Sequence, residues 1–365
     1  MQLFHPSNPD IEGVDTSNAC YGGTAALFAA VAWLESSAWD GRDAIVVCGD
    51  IAAYRREDAA ARPTGGAGCV AMLIGAEAPV CLAGPRASYM RHAWDFFKAD
   101  FAREGPFVDG PGSGRCYLEA VDACYRSWCE KVLREEGEEE GAEQSGPGTG
   151  GRQVGIDAFD YFLFHAPNCK QVAKAYARLL WNDLLRAGES ILPPELRGLV
   201  DGDRKVDDES TRANKPLEKA LMQLTQARFE QRVRPGLLLP AQCGNMYTAS
   251  LYSGLASLLA SVPSEQLQGK RIGMFSYGSG LASSLFTVTI RGDTSGMAQR
   301  LDLHRRLAAR VSVEPEVWDE MSRLREGAYQ QKDYVPKGEV EALLPGTYYL
   351  KYVDAVFRRE YEVRV

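Results

Sequence analysis

The stretch "DTSNACYGGTAALFAAVAWLES", residues 15–36, constrains the fold more than any other. Polar residues lead to a cysteine, two glycines follow, and a run rich in Ala and Leu then reads as a buried helix from Thr24 to Glu35. A helix that is apolar all round has no face for water and belongs between other layers. "SAWDGRD" turns the chain, and "AIVVCGD", a β-branched run closed by Gly-Asp, reads as a buried strand. "RPTGGAGCVAMLIG" reads as a glycine-rich turn into another strand.

The same pattern returns downstream. "GNMYTASLYSGLASLLASV" is again a polar, glycine-containing entry to a small-residue helix, and "QGKRIGMFSYGSG" is again a Gly-basic turn into a strand that ends in glycine. Gly41-Arg42 and Gly269-Lys270 hold the same place in the two units, as do Gly49-Asp50 and Gly278-Ser279. The recurrence reads as an internal duplication of a helix–strand unit. Two such α/β halves packed together would bury both helices between sheets. Between them, residues 134–153 are acidic, glycine-rich and almost free of apolar side chains, which reads as a disordered surface loop. The expected division is therefore 1–133 for the first half and 154–365 for the second half with its C-terminal strands.

Composition narrows the function. At 365 residues the chain is long enough for two fused halves with a full core. A net charge of -8 argues against a general nucleic-acid binder. The nine cysteines are scattered without C-x-x-C spacing, and there are only four histidines, so neither a disulfide framework nor a metal site is expected. No apolar run reaches the length of about 18 residues that spans a membrane. The start, "MQLFHPSNPDIEG", lacks a signal pattern. A cytoplasmic protein with reduced thiols is the expectation.

Four features carry chemistry. Cys20 stands at the mouth of a helix, where the dipole favours a thiolate and backbone N–H groups can hold an oxyanion. Gly22 and Gly23 clear side chains from the path of an acyl group. A packed structural cysteine is the plain alternative. His165 ends the apolar strand Phe159–Phe164, beside Pro167, where sites of open α/β sheets collect. A core histidine is its plain alternative. A Cys and a His far apart in sequence suit nucleophilic acyl transfer. Lys170, Lys174 and Arg178 recur at i, i+4 and i+8 on the helix from about Asn168, a basic stripe for phosphates or merely a solvated face. Asn245 opens the second unit's helix and Ser279 closes its strand, so a pseudo-twofold fold could bring both to one pocket, though each also suits an ordinary cap or turn.

With those residues in hand, "NACYGGTAALFAAVAWLESSAWDGRDAIVVCGDIAAY", "ARPTGGAG", "FHAPNCK", "GNMYTAS" and "GKRIGMFSYGSGLASSLF" together resemble hydroxymethylglutaryl-CoA synthase, of the thiolase superfamily. The likeness runs in order through nearly the whole chain apart from the acidic insertion. It implies a duplicated α-β-α-β-α layered fold, its first half incomplete at the N-terminus. It also implies a reaction of the mevalonate route to isoprenoids and sterols. Acetyl-CoA would acylate Cys20. The resulting enolate would attack the ketone of acetoacetyl-CoA, and hydrolysis would release hydroxymethylglutaryl-CoA. His165 would hold and polarise the acetoacetyl group. Asn245 and Ser279 match family residues that contact the acyl-CoA, and Lys170 and Lys174 match positions on the CoA side. Asp50, Asp95 and Phe96 match residues around the acetyl-cysteine, with Tyr21 and Thr64 expected in the same pocket wall. CoA thioesters would be substrates, no cofactor is called for, and a homodimer is implied.

Two departures accompany the resemblance. The family's acid/base glutamate lies N-terminal to the nucleophile, and Glu12, the one glutamate before Cys20, falls in a non-matching "DIEG". Tyr89 stands where the family usually has histidine. The first departure leads to the expectation of a truncated form with poor solubility and little condensation activity. Rival readings are a polyketide β-branching synthase acting on an acyl carrier protein, a non-catalytic partner of a complete synthase, and a cysteine redox sensor.

Overall fold

The computed structural model describes residues 4, 7–142, 154–188, 191–200 and 208–365. In chain order these form α1 (Gly22–Leu34), β1 (Ala44–Ala52), β2 (Gly66–Ile74), β3 (Val80–Met90), the short β4 (Phe96–Phe97) and β5 (Phe107–Val108), and α2 (Gly110–Ala142). There follow β6 (Tyr161–Phe164), α3 (Cys169–Ala187), α4 (Pro194–Arg197), α5 (Asp208–Ala213), α6 (Lys215–Arg232), α7 (Leu238–Cys243), α8 (Ser250–Ser261) and α9 (Ser264–Leu267). The remainder is β7 (Arg271–Gly278), β8 (Ala282–Ile290), α10 (Ser295–Leu301), α11 (Leu303–Ala308), α12 (Pro315–Ala328), β9 (Tyr348–Val353) and β10 (Arg359–Val363).

The duplication is visible as two helix–hairpin units, α1-β1-β2 and α8-β7-β8. Both hairpins are antiparallel, with Cys48 opposite Val70 in the first and Phe275 opposite Leu285 in the second. The second hairpin sits inside a four-stranded sheet of order β3-β8-β7-β6, in which β6 runs parallel to β7. The first hairpin forms a sheet of its own. Helices α1 and α8 lie between the sheets in one apolar cluster that joins Leu27, Val46, Cys48, Leu258, Met274 and Phe286. A second cluster, with Tyr117, Trp128, Phe164, Tyr176, Phe275 and Leu285, packs α2 and α3 on the far face of the four-stranded sheet. The order of layers is thus α2/α3, sheet, α1/α8, sheet: four of the five that the resemblance implies, among the described residues.

Close approach explains the glycines of the first helix. A Cβ on Gly23 would meet the Cys48 sulfur at 2.6 Å and the Thr248 carbonyl oxygen at 2.8 Å, so only glycine lets α1 reach the next layer here. At the next residue, Thr24 Oγ1 lies 2.7 Å from Ser276 Oγ and 2.8 Å from Tyr252 Oη, tying α1 to β7 and α8 by buried polar contacts. Both glycines fall inside the helix, two residues before the expected start at Thr24.

Two expectations need correction. The expected boundary at residue 133 falls within α2, whose helix continues to Ala142, so residues 134–142 are not loop. Glu-rich sequence supports exposed helix as readily as coil, and here the charged stretch continues α2. Residues 143–153 lie outside the described residues. Moreover β3 pairs with β8, and α2 packs on the second unit's sheet, so both serve the layers of the second half.

Candidate active site

Cys20 lies two residues before Gly22, the first residue of α1, with Tyr21 at the helix cap. Its loop is held by Tyr21 N–H donating to the Asn18 carbonyl at 3.0 Å and by Gly278, the last residue of β7. A Cβ on Gly278 would come within 2.6 Å of Tyr21 N and 2.9 Å of Asn18 O. The end of the second unit's strand therefore abuts the nucleophile loop of the first.

His165 follows β6, and its backbone is fixed on every side. Its N–H donates to the Phe275 carbonyl at 2.8 Å, its carbonyl accepts from Tyr117 Oη at 2.7 Å, and the next N–H, of Ala166, donates to Ser250 Oγ at 2.9 Å. The ring lies nearly parallel to that of Tyr277. It is buried, and its Nδ1 has no hydrogen-bond partner among the described residues. Burial pushes its pKa down to about 3, so the imidazole is neutral at physiological pH.

Cys20 and His165 face one cavity of about 240 Å³, with Thr64, Phe96, Asn245 and Ser279 also in its wall. Backbone contact brings the two units together here: Asn245 N–H donates to the Thr64 carbonyl at 2.8 Å. Asn245 is buried, takes a bond from Tyr247 N–H at 3.0 Å and reaches Tyr54 Oη at 3.2 Å. Phe96 packs edge-on against Tyr54 and Tyr247. Cys20 also borders a second, wider bay of about 890 Å³, lined by Asp50, Glu104, Thr248 and the outer residues of β1 and β2.

The carboxylates shape this site without entering the smaller cavity. Asp50 accepts from both Thr248 N–H and Thr248 Oγ1, and so pins the turn that carries Tyr247. Tyr247 has a positive φ of 42°, which that anchoring helps to hold. Asp95 is buried and accepts from Tyr277 Oη at 2.9 Å and Gly280 N–H at 3.1 Å, fixing the loop that presents Ser279.

The helix-dipole expectation for Cys20 is overturned. Its pKa is raised, first by desolvation, then by Asp50 and more weakly by Asp95. The thiol is protonated at rest. A redox sensor needs a low-pKa thiolate, so this environment does not suit one.

Other expected residues fall elsewhere. Tyr21 turns away from both cavities, its hydroxyl 2.8 Å from Ser284 Oγ inside the sheet. Lys170 is exposed in the first turn of α3, next to the cavity residues Asn168 and Gln171. Lys174 is ion-paired with Glu218 at 3.2 Å. Arg178 is buried against Asp122, so the three cations do not form one open stripe. An i+4 step gains about 40° around a helix, and by Arg178 the row has turned into the α2 contact. Tyr89 donates to Glu119 at 2.5 Å, away from both cavities. Sequence reasoning missed Ser113, Tyr117 and Tyr277 in the cavity wall. "GPGSG" reads as loop although it is the first turn of α2, which hides Ser113. Tyr277 was within reach, one residue from the glycine that ends β7.

Residues 1–79 match the family described as hydroxymethylglutaryl-coenzyme A synthase N terminal, and residues 80–364 its C terminal counterpart. Over its full length the chain is 54% identical to hydroxymethylglutaryl-CoA synthase erg13A of Aspergillus fumigatus, covering 76% of that protein. It is 47% identical to the hydroxymethylglutaryl-CoA synthase of Saccharomyces cerevisiae, covering 71% of it. Among solved structures, MvaS in complex with 3-hydroxy-3-methylglutaryl coenzyme A matches with a TM-score of 0.76 at 31% identity, over 96% of this chain and 74% of that one. The curacin-pathway HMG synthase in complex with acetyl donor-ACP shares the fold at a TM-score of 0.70 and 24% identity, over 95% of this chain and 73% of that one. Matched from one end to the other by both halves of a single family, the chain belongs to the hydroxymethylglutaryl-CoA synthases.

Proposed function

We propose that the chain works on CoA thioesters through an acyl-cysteine at Cys20, in the condensation of acetyl-CoA with acetoacetyl-CoA. The carrying observation is the shared cavity, whose wall holds Cys20 from the first unit together with His165, Asn245 and Ser279. Cys20 Sγ attacks the acetyl thioester carbonyl and CoA leaves as a thiol. The proton lost by Cys20 needs an acceptor, and the neutral, unpartnered imidazole of His165 is the basic group in this wall. A base takes a methyl proton to give the enolate, which adds to the acetoacetyl ketone. The conjugate acid of that base returns the proton to the alkoxide so formed, and water then cleaves the cysteine thioester, freeing the product acid and the Cys20 thiol. His165 polarises the ketone, while Asn245 and Ser279 orient the acyl chain. The exposed Lys170 attracts the CoA phosphates at the channel mouth.

The methyl proton requires a base, and among the described residues no carboxylate lines the smaller cavity. On the bay side, Asp50 is engaged by Thr248 and Glu104 by Arg325. Acylation is therefore the half-reaction for which the residues at hand suffice. A homodimer is the assembly the family likeness suggests, and fungal relatives sharing about half their residues favour CoA over a carrier protein as acyl donor.

The test is intact mass and peptide mapping after incubation with acetyl-CoA, with Cys20→Ala as control. One acetyl group on Cys20, absent from the variant, is expected. No acylation, or acylation that persists in Cys20→Ala, overturns the assignment.

A further inference from the structure

We infer that Asp319, on α12, is a positioning residue for the acyl pocket: by pairing with Arg62 it holds the loop that fixes Asn245. This rests on the reading of Asn245 as a residue that orients the acyl chain, and its structural half is tested apart from that chemistry.

The loop from Tyr54 to Thr64 holds Asn245 at both of its ends. Tyr54 Oη accepts from Asn245 Nδ2 at 3.2 Å, and the Thr64 carbonyl accepts from Asn245 N–H at 2.8 Å. The backbone contact leaves no slack. A Cβ on Gly66 would fall 1.9 Å from Cys243 O and 2.7 Å from Asn245 O, and one on Gly244 would fall 2.3 Å from Gly65 O. Close-packed neighbours of this kind pass on a displacement, so a shift of the turn Arg62–Thr64 carries Asn245 with it. Thr64 and Asn245 both stand in the wall of the cavity that holds Cys20 and His165.

Helix α12 grips this loop from outside. Asp319 accepts a hydrogen bond from Arg62 and lies 3.8 Å from Arg56 Nε, so one carboxylate gathers two arginines of the loop. The Arg62 and Asp319 side chains are only 23% and 32% exposed, so their attraction is screened less than that of an open surface pair. The helix itself buries no side chain fully. Its other ties to the body are also polar: Arg325 to Glu104 at 3.1 Å, and the Glu326 carboxylate accepting from Glu104 N–H at 3.2 Å. A cleft of about 460 Å³ lies between α12 and the loop, with Tyr54, Arg62, Trp318 and Asp319 in its wall. The ion pairs bridge a gap that packing does not fill. Charge is therefore what fixes the loop against α12, and through the loop the place of Asn245.

The test compares the wild type with Asp319→Asn, which keeps the shape and removes the charge, and with Asp319→Glu, which keeps the charge. Glu320→Gln is the control, since Glu320 pairs with Arg323 of its own helix. Amide hydrogen exchange over residues 62–66 and 243–247 reads the tie, and the half-saturating acetyl-CoA concentration for Cys20 acetylation reads its consequence. Asp319→Asn is expected to speed exchange in both segments and to raise the half-saturating concentration, each by at least about threefold, with Asp319→Glu within about twofold of the wild type and Glu320→Gln unchanged. At about 1 M salt, where screening acts within about 3 Å, the gap between wild type and Asp319→Asn should close. Comparison at equal salt cancels any screening of the CoA phosphates. Wild-type exchange at 243–247 in Asp319→Asn overturns the inference, as does an equal loss in Glu320→Gln or a gap that survives salt. A lower melting temperature with unchanged half-saturation also overturns it, because Asp319 would then serve stability alone. If no sample is acetylated, the chemistry read for Cys20 fails, while exchange still decides the tie between Asp319 and Asn245.

Discussion

Gly278→Ala tests whether the two units meet as tightly as the site requires. The added Cβ would lie 2.6 Å from Tyr21 N and 2.9 Å from both Asn18 O and Tyr21 Cβ. Ordinary contact begins near 3.4 Å, so the nucleophile loop must retreat by close to an ångström. All three clashing atoms belong to backbone or to a Cβ, which no rotamer change can move. Overpacking of this kind costs about 1–3 kcal/mol. A shift of about 1 Å in a reacting group costs up to roughly a hundredfold in rate. The assay is the rate of Cys20 acetylation by acetyl-CoA, with a thermal melt of each sample. Gly327→Ala, in an exposed turn of α12 with open space around the new Cβ, serves as control and keeps the wild-type rate. Gly278→Ala is expected to lose at least about tenfold in rate and to melt lower. A variant that acetylates and melts like the wild type refutes the reasoning, because the strand end would then not be what positions Cys20.

Asp122 is buried between Arg178, Arg212 and Asn182, with bonds of 2.6, 3.0 and 2.7 Å, so Asp122→Ala strands two cations and is expected to cost about 3–5 kcal/mol in denaturant unfolding. His165 is held neutral by burial, with its folded pKa far below the unfolded one, so its contribution is complete above about pH 6.5 and is lost as pH falls toward about 3. Stability should decline by up to about 1.4 kcal/mol per pH unit over that window on this account. The imidazole NMR signals should not titrate between pH 5 and 8. The raised pKa of Cys20 predicts that iodoacetamide labels it more slowly than the exposed Cys69 at pH 7, with a rate still climbing beyond pH 9; a plateau near neutrality would show a stabilised thiolate.

Much of this was legible in the residues because the determinants are local. The glycine-containing entries to the two helices, the Gly-basic turns and the strand ends repeat at matching places, and the two helix–hairpin units follow from them. Asn168 capping α3 after Pro167 is equally local, its side chain accepting from Gln171 N–H. What the sequence hid depends on layers that meet from afar. Arg178 reads as one more surface cation until α2 supplies Asp122, 56 residues away. Tyr21 reads as pocket wall by adjacency to Cys20, yet Ser284, 263 positions on, captures its hydroxyl. The sign of the Cys20 shift is of the same kind. A helix N-terminus is visible in sequence, whereas burial and the approach of Asp50 and Asp95 are properties of the assembled site.

The two carboxylates nearest Cys20 explain why its reactivity is restrained. Both raise its pKa, and a more reactive thiol would follow from removing either. Each, however, holds a piece of cavity wall: Asp50 the turn bearing Tyr247, Asp95 the loop bearing Ser279. Geometry is thus kept at the expense of a resting thiolate. A nucleophile in that state must lose its proton as it attacks, which places the demand on a neutral acceptor in the same cavity. His165 meets it by the same cause, since the burial that protonates the thiol deprotonates the imidazole. One desolvated pocket therefore sets the resting states of both groups, a protonated thiol and a neutral imidazole, and widens the gap a proton must cross between them.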